Sequence, residues 1–193
     1  MESLSACKSV TRISRLPSLA AAFGLALTVW SAPIAANAET YLVNGALSAT
    51  PLGYGFKNLK AKLPSARLFN NLVGGEASIR HTIVNDIRTR HAANPQEQFT
   101  LAGISSGANV ILQVARELSG DGIPIYYMAI VESSGGTVPP NVEFADNFIC
   151  GGSPDPLCTR AKVAGANTIV VETNHINLGN NSLVHSRVIA NAK

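Results

Sequence analysis

Between residues 99 and 132 an apolar run, a helical pattern and a second apolar run follow one another almost without connection: "FTLAGI" (99–104), "ANVILQVAREL" (108–118) and "IPIYYMAIVE" (123–132). Two neighbouring strands joined through a helix lie parallel, and the crossover between them is right-handed. The second run is nearly continuous in apolar residues, so both of its faces are expected inside the core. All-β and all-α architectures are thereby excluded, and the other segments must fit around this unit.

They do so by the same alternation. "TYLVNGAL" (40–47) and "ARLFNNLV" (66–73) are strand-like, and between them "PLGYGFKNLKAKL" (51–63) puts Phe56, Leu59 and Leu63 on one helical face. In "EASIRHTIVNDIRTRHAA" (76–93), Ile79, Ile83 and Ile87 recur at four-residue spacing with Val84 beside them, and Pro95 follows the helix this predicts. Beyond a Gly/Pro-rich excursion from 133 to 165, "NTIVVET" (167–173) supplies a fifth strand and "SLVHSRVIANAK" (182–193) a closing helix. The expected fold is α/β, a three-layer sandwich with a mostly parallel central sheet and helices on both faces. At 193 residues and 46% hydrophobic composition, one such domain, spanning 39–193, accounts for the chain after its leader.

The leader is residues 1 to 38. Lys8, Arg12 and Arg15 precede the apolar run "LPSLAAAFGLALTVW", and "SAPIAANA" then spaces Ala36 and Ala38 as a signal peptidase site requires, so cleavage is expected after Ala38. Pro17 and Pro33 bracket a run shorter than the roughly 20 apolar residues of a membrane span, so no stable anchor is expected. Three of the 15 basic residues and one of the 12 acidic ones lie in that leader, leaving 12 against 11 in the remainder. A near-neutral domain without a basic cluster is no nucleic-acid binder; "RTRH" (88–91), its densest basic patch, reads as the solvated end of a helix.

An exported chain matures in an oxidising compartment, periplasmic or extracellular. Cys7 leaves with the leader, and Cys150 and Cys158, flanking a Gly/Pro-rich loop in "CGGSPDPLC", are expected to form a disulfide. A ring that small should contribute about 2–3 kcal/mol by restricting the unfolded loop. No second Cys/His pair stands at metal-ligand spacing, and no cofactor is expected.

Where the strand at 99–104 meets its helix, the sequence is Gly103-Ile104-Ser105-Ser106-Gly107. A serine held in a tight strand-to-helix turn, with glycines two residues before and after so that the turn can close, is the arrangement of a nucleophile elbow. Ser106 N–H, at the helix start, would then face an oxyanion formed on a substrate held by Ser105. A second donor is expected from the loop after the first strand, where Ala46 or Leu47 offers a backbone N–H.

A serine hydroxyl needs a base. His81 and His91 lie before the serine on a helix and His185 inside the last helix, whereas His175, in "ETNHINLGNN", follows the last strand at the sheet edge that carries Ser105. The acid that would orient His175 is expected to be Glu132, at the end of the fourth strand; Asp146 and Asp155 compete from the excursion, and Glu172 is less plausible.

These residues bring the chain close to a known family. The stretches "GALSATPLGYG", "GISSGAN", "VESSGGTVPPNV" and "NHINL" resemble the first loop, elbow, acid segment and histidine loop of small bacterial lipase- or thioesterase-like members of the α/β-hydrolase superfamily, over nearly all of residues 41 to 190. The resemblance implies Ser105 as nucleophile and His175 as base. Two positions depart from it: Ile104 stands where the family has histidine, and Glu132 where it has aspartate. The function expected is hydrolysis of small acyl esters or thioesters through an acyl-enzyme. The alternative is a catalytically impaired binding protein on the same scaffold, in which the elbow survives for its geometry.

Overall fold

A computed structural model describes residues 38–46, 55–71, 74–152 and 154–192. The leader up to residue 37, and Leu47, lie outside the described residues. In chain order the elements are β1 (Ala38–Val43), α1 (Lys57–Lys62), β2 (Arg67–Phe69), α2 (Glu76–Ala93), β3 (Gln98–Ile104), α3 (Ser106–Gly120), β4 (Ile125–Val131), β5 (Gly136–Thr137), β6 (Val142–Cys150), β7 (Val163–Ala164), β8 (Asn167–Val171), α4 (His175–Leu178) and α5 (Ser182–Asn191). Six strands make one sheet in the order β2-β1-β3-β4-β6-β8, and every pairing is parallel. β5 and β7 form a separate parallel pair.

Period-two alternation divides the sheet's side chains between two helical layers. Tyr41, Val43, Phe99, Leu101, Met128 and Ile130 pack against Ile83, Val84 and Ile87 of α2 and Val110, Ile111, Val114 and Leu118 of α3. Leu42, Ala102, Ile104, Tyr127, Ala129, Val131 and Phe148 point the other way, onto Phe56, Leu59, Leu178, Val184 and Val188. The three layers and the parallel sheet are those expected from the sequence, and α2 spans the residues its isoleucine spacing predicts.

The excursion is the main difference. Residues 133–165 contain β6, a nine-residue strand inserted between β4 and β8. Its pattern is obscured by Asp146 and Asn147, polar yet almost fully buried. Each finds partners distant in sequence: Asp146 accepts from Tyr127 Oη (2.7 Å), Asn167 Nδ2 (3.1 Å) and Arg187 (2.9 and 3.0 Å), and Asn147 Nδ2 donates to the Ala161 carbonyl (3.0 Å). Burial alone would raise the Asp146 carboxyl, but these donors outweigh it and hold the group below the usual carboxylate range. No helix among the described residues is long and apolar enough to cross a membrane.

Candidate active site

Ser105 is the single residue between β3 and α3, and it takes φ 58°, ψ −126°. Its N–H donates to the Val131 carbonyl (2.8 Å), so the β3–β4 ladder runs one residue beyond β3 before the chain turns. The turn closes only because three positions lack side chains. A Cβ on Gly103 would lie 2.8 Å from Ala108 Cα, one on Gly107 would meet the Val43 carbonyl and lie 2.8 Å from that of Asn44, and one on Gly45 would sit 2.7 Å from Ser105 Cβ. Gly103 and Gly107 belong to the motif. Gly45 lets the loop after β1 run directly beside the serine.

Ser106 opens α3, as an oxyanion donor at that position requires. Ala46 N–H, the other candidate, donates to Ser106 Oγ (3.1 Å), which also accepts from Asn71 Nδ2 (3.0 Å). Asn71, fully buried just beyond β2, ties three loops together beneath the serine, a role no sequence motif marks.

Glu132 follows β4 directly, with φ 50° and 1% exposure. Its carboxylate is held by backbone donors: Cys150 N–H to Oε1 (2.6 Å), and Thr159 N–H (2.7 Å) and Arg160 N–H (3.3 Å) to Oε2. Thr159 Oγ1 lies 3.0 Å from Oε2 and 2.7 Å from the Ser133 carbonyl, with one proton for the two. A carboxylate offers about four acceptor positions, so Oε1, with one donor, retains room for another.

His175 is the first residue of α4, whose N-cap Asn174 accepts from Asn177 N–H (2.9 Å). A ring nitrogen of His175, a carboxylate oxygen of Glu132 and the Cys150 sulfur all lie within 4.8 Å of one another. Cys150 is disulfide-bonded to Cys158, with Cα atoms 5.9 Å apart, so this cluster offers no thiolate to a metal. Among the described residues His175 Nδ1 is buried without a hydrogen-bond partner. Glu132 is the carboxylate of this cluster. No hydrogen bond joins Ser105 to His175 among the described residues; catalytic hydrogen bonds are often long in free enzymes and tighten around substrate.

The other carboxylates divide cleanly. Asp155, inside the disulfide ring, accepts the backbone N–H of His175 (2.8 Å) and of Leu157 (2.9 Å), and these bonds hold its carboxyl below the usual range. Asp146 is spent in the ion pair with Arg187, and Glu172 is exposed beyond β8. Among the histidines, His81 is exposed on α2 and His91 half-buried there. His185 is a buried structural group: Lys62 Nζ donates to Nδ1 (3.1 Å), which leaves Nε2–H to donate to the Gly179 carbonyl (3.0 Å). Burial, with Lys62 adding to it, pushes the imidazole below its ordinary value despite the Gly179 bond.

No family model and no curated protein matches the sequence. Solved structures do. The type II thioesterase YbtT of the yersiniabactin pathway superposes with a TM-score of 0.53 at 10% identity, covering 84% of this chain and 96% of that one. A point mutant of the same thioesterase gives a TM-score of 0.50 at 9% identity, with the same coverage. At such identities the likeness concerns the fold alone: the chain shares with that thioesterase a central parallel sheet flanked by helices on both faces, here of six strands.

Proposed function

We propose that the chain is an exported serine hydrolase of acyl thioesters or esters. Ser105 Oγ attacks the acyl carbonyl carbon as His175 takes the hydroxyl proton. Ser106 N–H, with the N–H of Ala46 or Leu47, receives the negative charge on the carbonyl oxygen. Glu132 stabilises the imidazolium and fixes the ring, and His175 then passes the proton to the departing thiol or alcohol. Water, activated by the same histidine, releases the acid and restores Ser105.

The observation that carries this reading is the backbone of Ser105, a non-glycine residue held at positive φ by a glycine cradle at the carboxyl edge of the sheet. Thioester substrates are favoured by the likeness to YbtT. Export is the reading that the leader pattern and the disulfide support. A fluorophosphonate probe on the purified, oxidised protein tests the reading directly. Labelling that disappears in Ser105→Ala is expected, followed by turnover of short-chain acyl thioesters.

One feature favours the second reading, a binding protein on this scaffold: in the free chain Ala46 N–H is occupied by Ser106 Oγ. That reading requires a folded wild type that takes no label.

A further inference from the structure

Among the described residues, three other than glycine have positive φ: Ser105 (58°), Glu132 (50°) and Arg160 (52°). Such backbone is strained and persists where the surroundings enforce it. The first two are the proposed nucleophile and acid. Arg160 has no chemical part in that scheme, and its side chain donates to two carbonyls at and just past the end of β6, Cys150 O at 3.1 Å and Gly152 O at 3.4 Å.

Its backbone has a different part. The consecutive N–H groups of Thr159 and Arg160 both donate to Glu132 Oε2, a pair of peptide donors converging on one anion, and the chain turns left-handed at Arg160 directly after them. The opposite oxygen is held by Cys150 N–H. The cradle therefore has two walls: Cys150 in the sheet, and the segment directly after Cys158. The disulfide joins them. Within the ring it closes lies Asp155, which holds the backbone of His175. One covalently closed loop thus holds the base on one side and the acid on the other.

We propose that the Cys150–Cys158 disulfide is a redox latch on the Glu132–His175 pair, with Thr159 and Arg160 as positioning residues. This rests on the assignment of Glu132 and His175 as acid and base. A dithiol reductant, small molecule or protein, would transfer two electrons and two protons, leaving two protein thiols and its own disulfide. The Cys150 wall stays, because β6 is bonded to β4 and β8 on either side. The Cys158–Arg160 wall loses its covalent tie, and turnover falls while the sheet remains.

The test compares oxidised, reduced and reoxidised protein by kcat and KM on p-nitrophenyl acetate, by the rate of fluorophosphonate labelling, by thiol titration and by circular dichroism. Misplacing a catalytic group by about an ångström can cost a hundredfold, so kcat and labelling should fall at least about tenfold on reduction, with KM within about twofold, and return on reoxidation. Thr159→Val and Thr159→Ser repeat the test without breaking the disulfide. Valine should slow labelling several-fold, and serine, which keeps the hydroxyl, should not.

Labelling of the oxidised form that survives complete reduction in a folded protein would overturn the latch and leave the hydrolase standing. So would equal labelling of the valine and serine variants, should reduction unfold the chain. No labelling of the oxidised wild type would remove the hydrolase and, with it, any control of its activity by the disulfide.

Discussion

Replacing Ser105 with glycine should make the protein more stable as it makes it inert. At φ 58°, ψ −126° an L-residue has its Cβ crowded by the flanking peptide, at a cost of about 1–3 kcal/mol, while glycine bears none of it. Glycine also gives the unfolded chain more freedom, which takes back about 0.5–1 kcal/mol. The net gain is about 0.5–2 kcal/mol. For a domain of this size 1 kcal/mol moves Tm by about 2–4 °C, so Ser105→Gly should melt several degrees above wild type. Ser105→Ala keeps the Cβ and loses only the hydroxyl, and should stay within about 0.5 kcal/mol of wild type. Thermal unfolding of the three oxidised proteins in one buffer decides it, with fluorophosphonate labelling absent from both variants. A glycine variant melting at or below the alanine variant would show that no strain is stored at the elbow, and the role proposed for Ser105 would lose its main support.

Gly107→Ala should lower Tm by about 2–12 °C, since its Cβ meets two carbonyl oxygens of β1 and the following residue and overpacking of this kind costs about 1–3 kcal/mol; Gly120→Ala, with open space around the site, should be neutral or stabilising in the same melt. His185, whose imidazole is held below its ordinary value of 6.5 by burial, binds its proton more readily when unfolded, so stability should fall as pH drops below about 6.5; in His185→Gln that part of the urea-midpoint profile should flatten. Asp146, held below its ordinary 3.8, contributes stability that is complete above that value and lost as pH falls through its folded value. Asp146→Asn should therefore be less stable than wild type at pH 7, with the gap closing below about pH 4.

Local patterning made α2, β3, α3 and β4 legible, because each carries its own period and its own stop signal. Strand β6 was illegible for the opposite reason. The polarity of Asp146 and Asn147 makes sense only once Arg187, Asn167, Tyr127 and Ala161 are brought to them, and none of these is a neighbour in sequence. The site divides in the same way. Ser105 and His175 were visible from motif and from position after a strand, and Glu132 from its place at a strand end. Gly45, Asn71 and Arg160 were not, since a close approach, a buried amide and a left-handed turn leave no periodic trace; the asparagine pair at 70–71, which interrupts the strand-like run 66–73 where β2 in fact ends, was the one available signal.

The three strained residues are not held by the same means, and the difference bears on how the site can fail. Ser105 and Glu132 each make one further rung of a parallel ladder before the chain turns: Ser105 N–H to Val131 O at 2.8 Å, and Glu132 N–H to Phe148 O at 2.9 Å. Their conformations are enforced by the central strands and should persist for as long as the sheet does. Arg160 lies in no strand. It is held by its hydrogen bonds to Glu132, Cys150 and Gly152 and by the disulfide two residues earlier. Loosening should therefore begin at the cradle of Glu132 and reach Ser105 last. Under mild reduction, hydrogen exchange should quicken at Thr159 and Arg160 while the amide of Ser105 stays protected, and simultaneous loss of both would mean that the elbow depends on the loop after all.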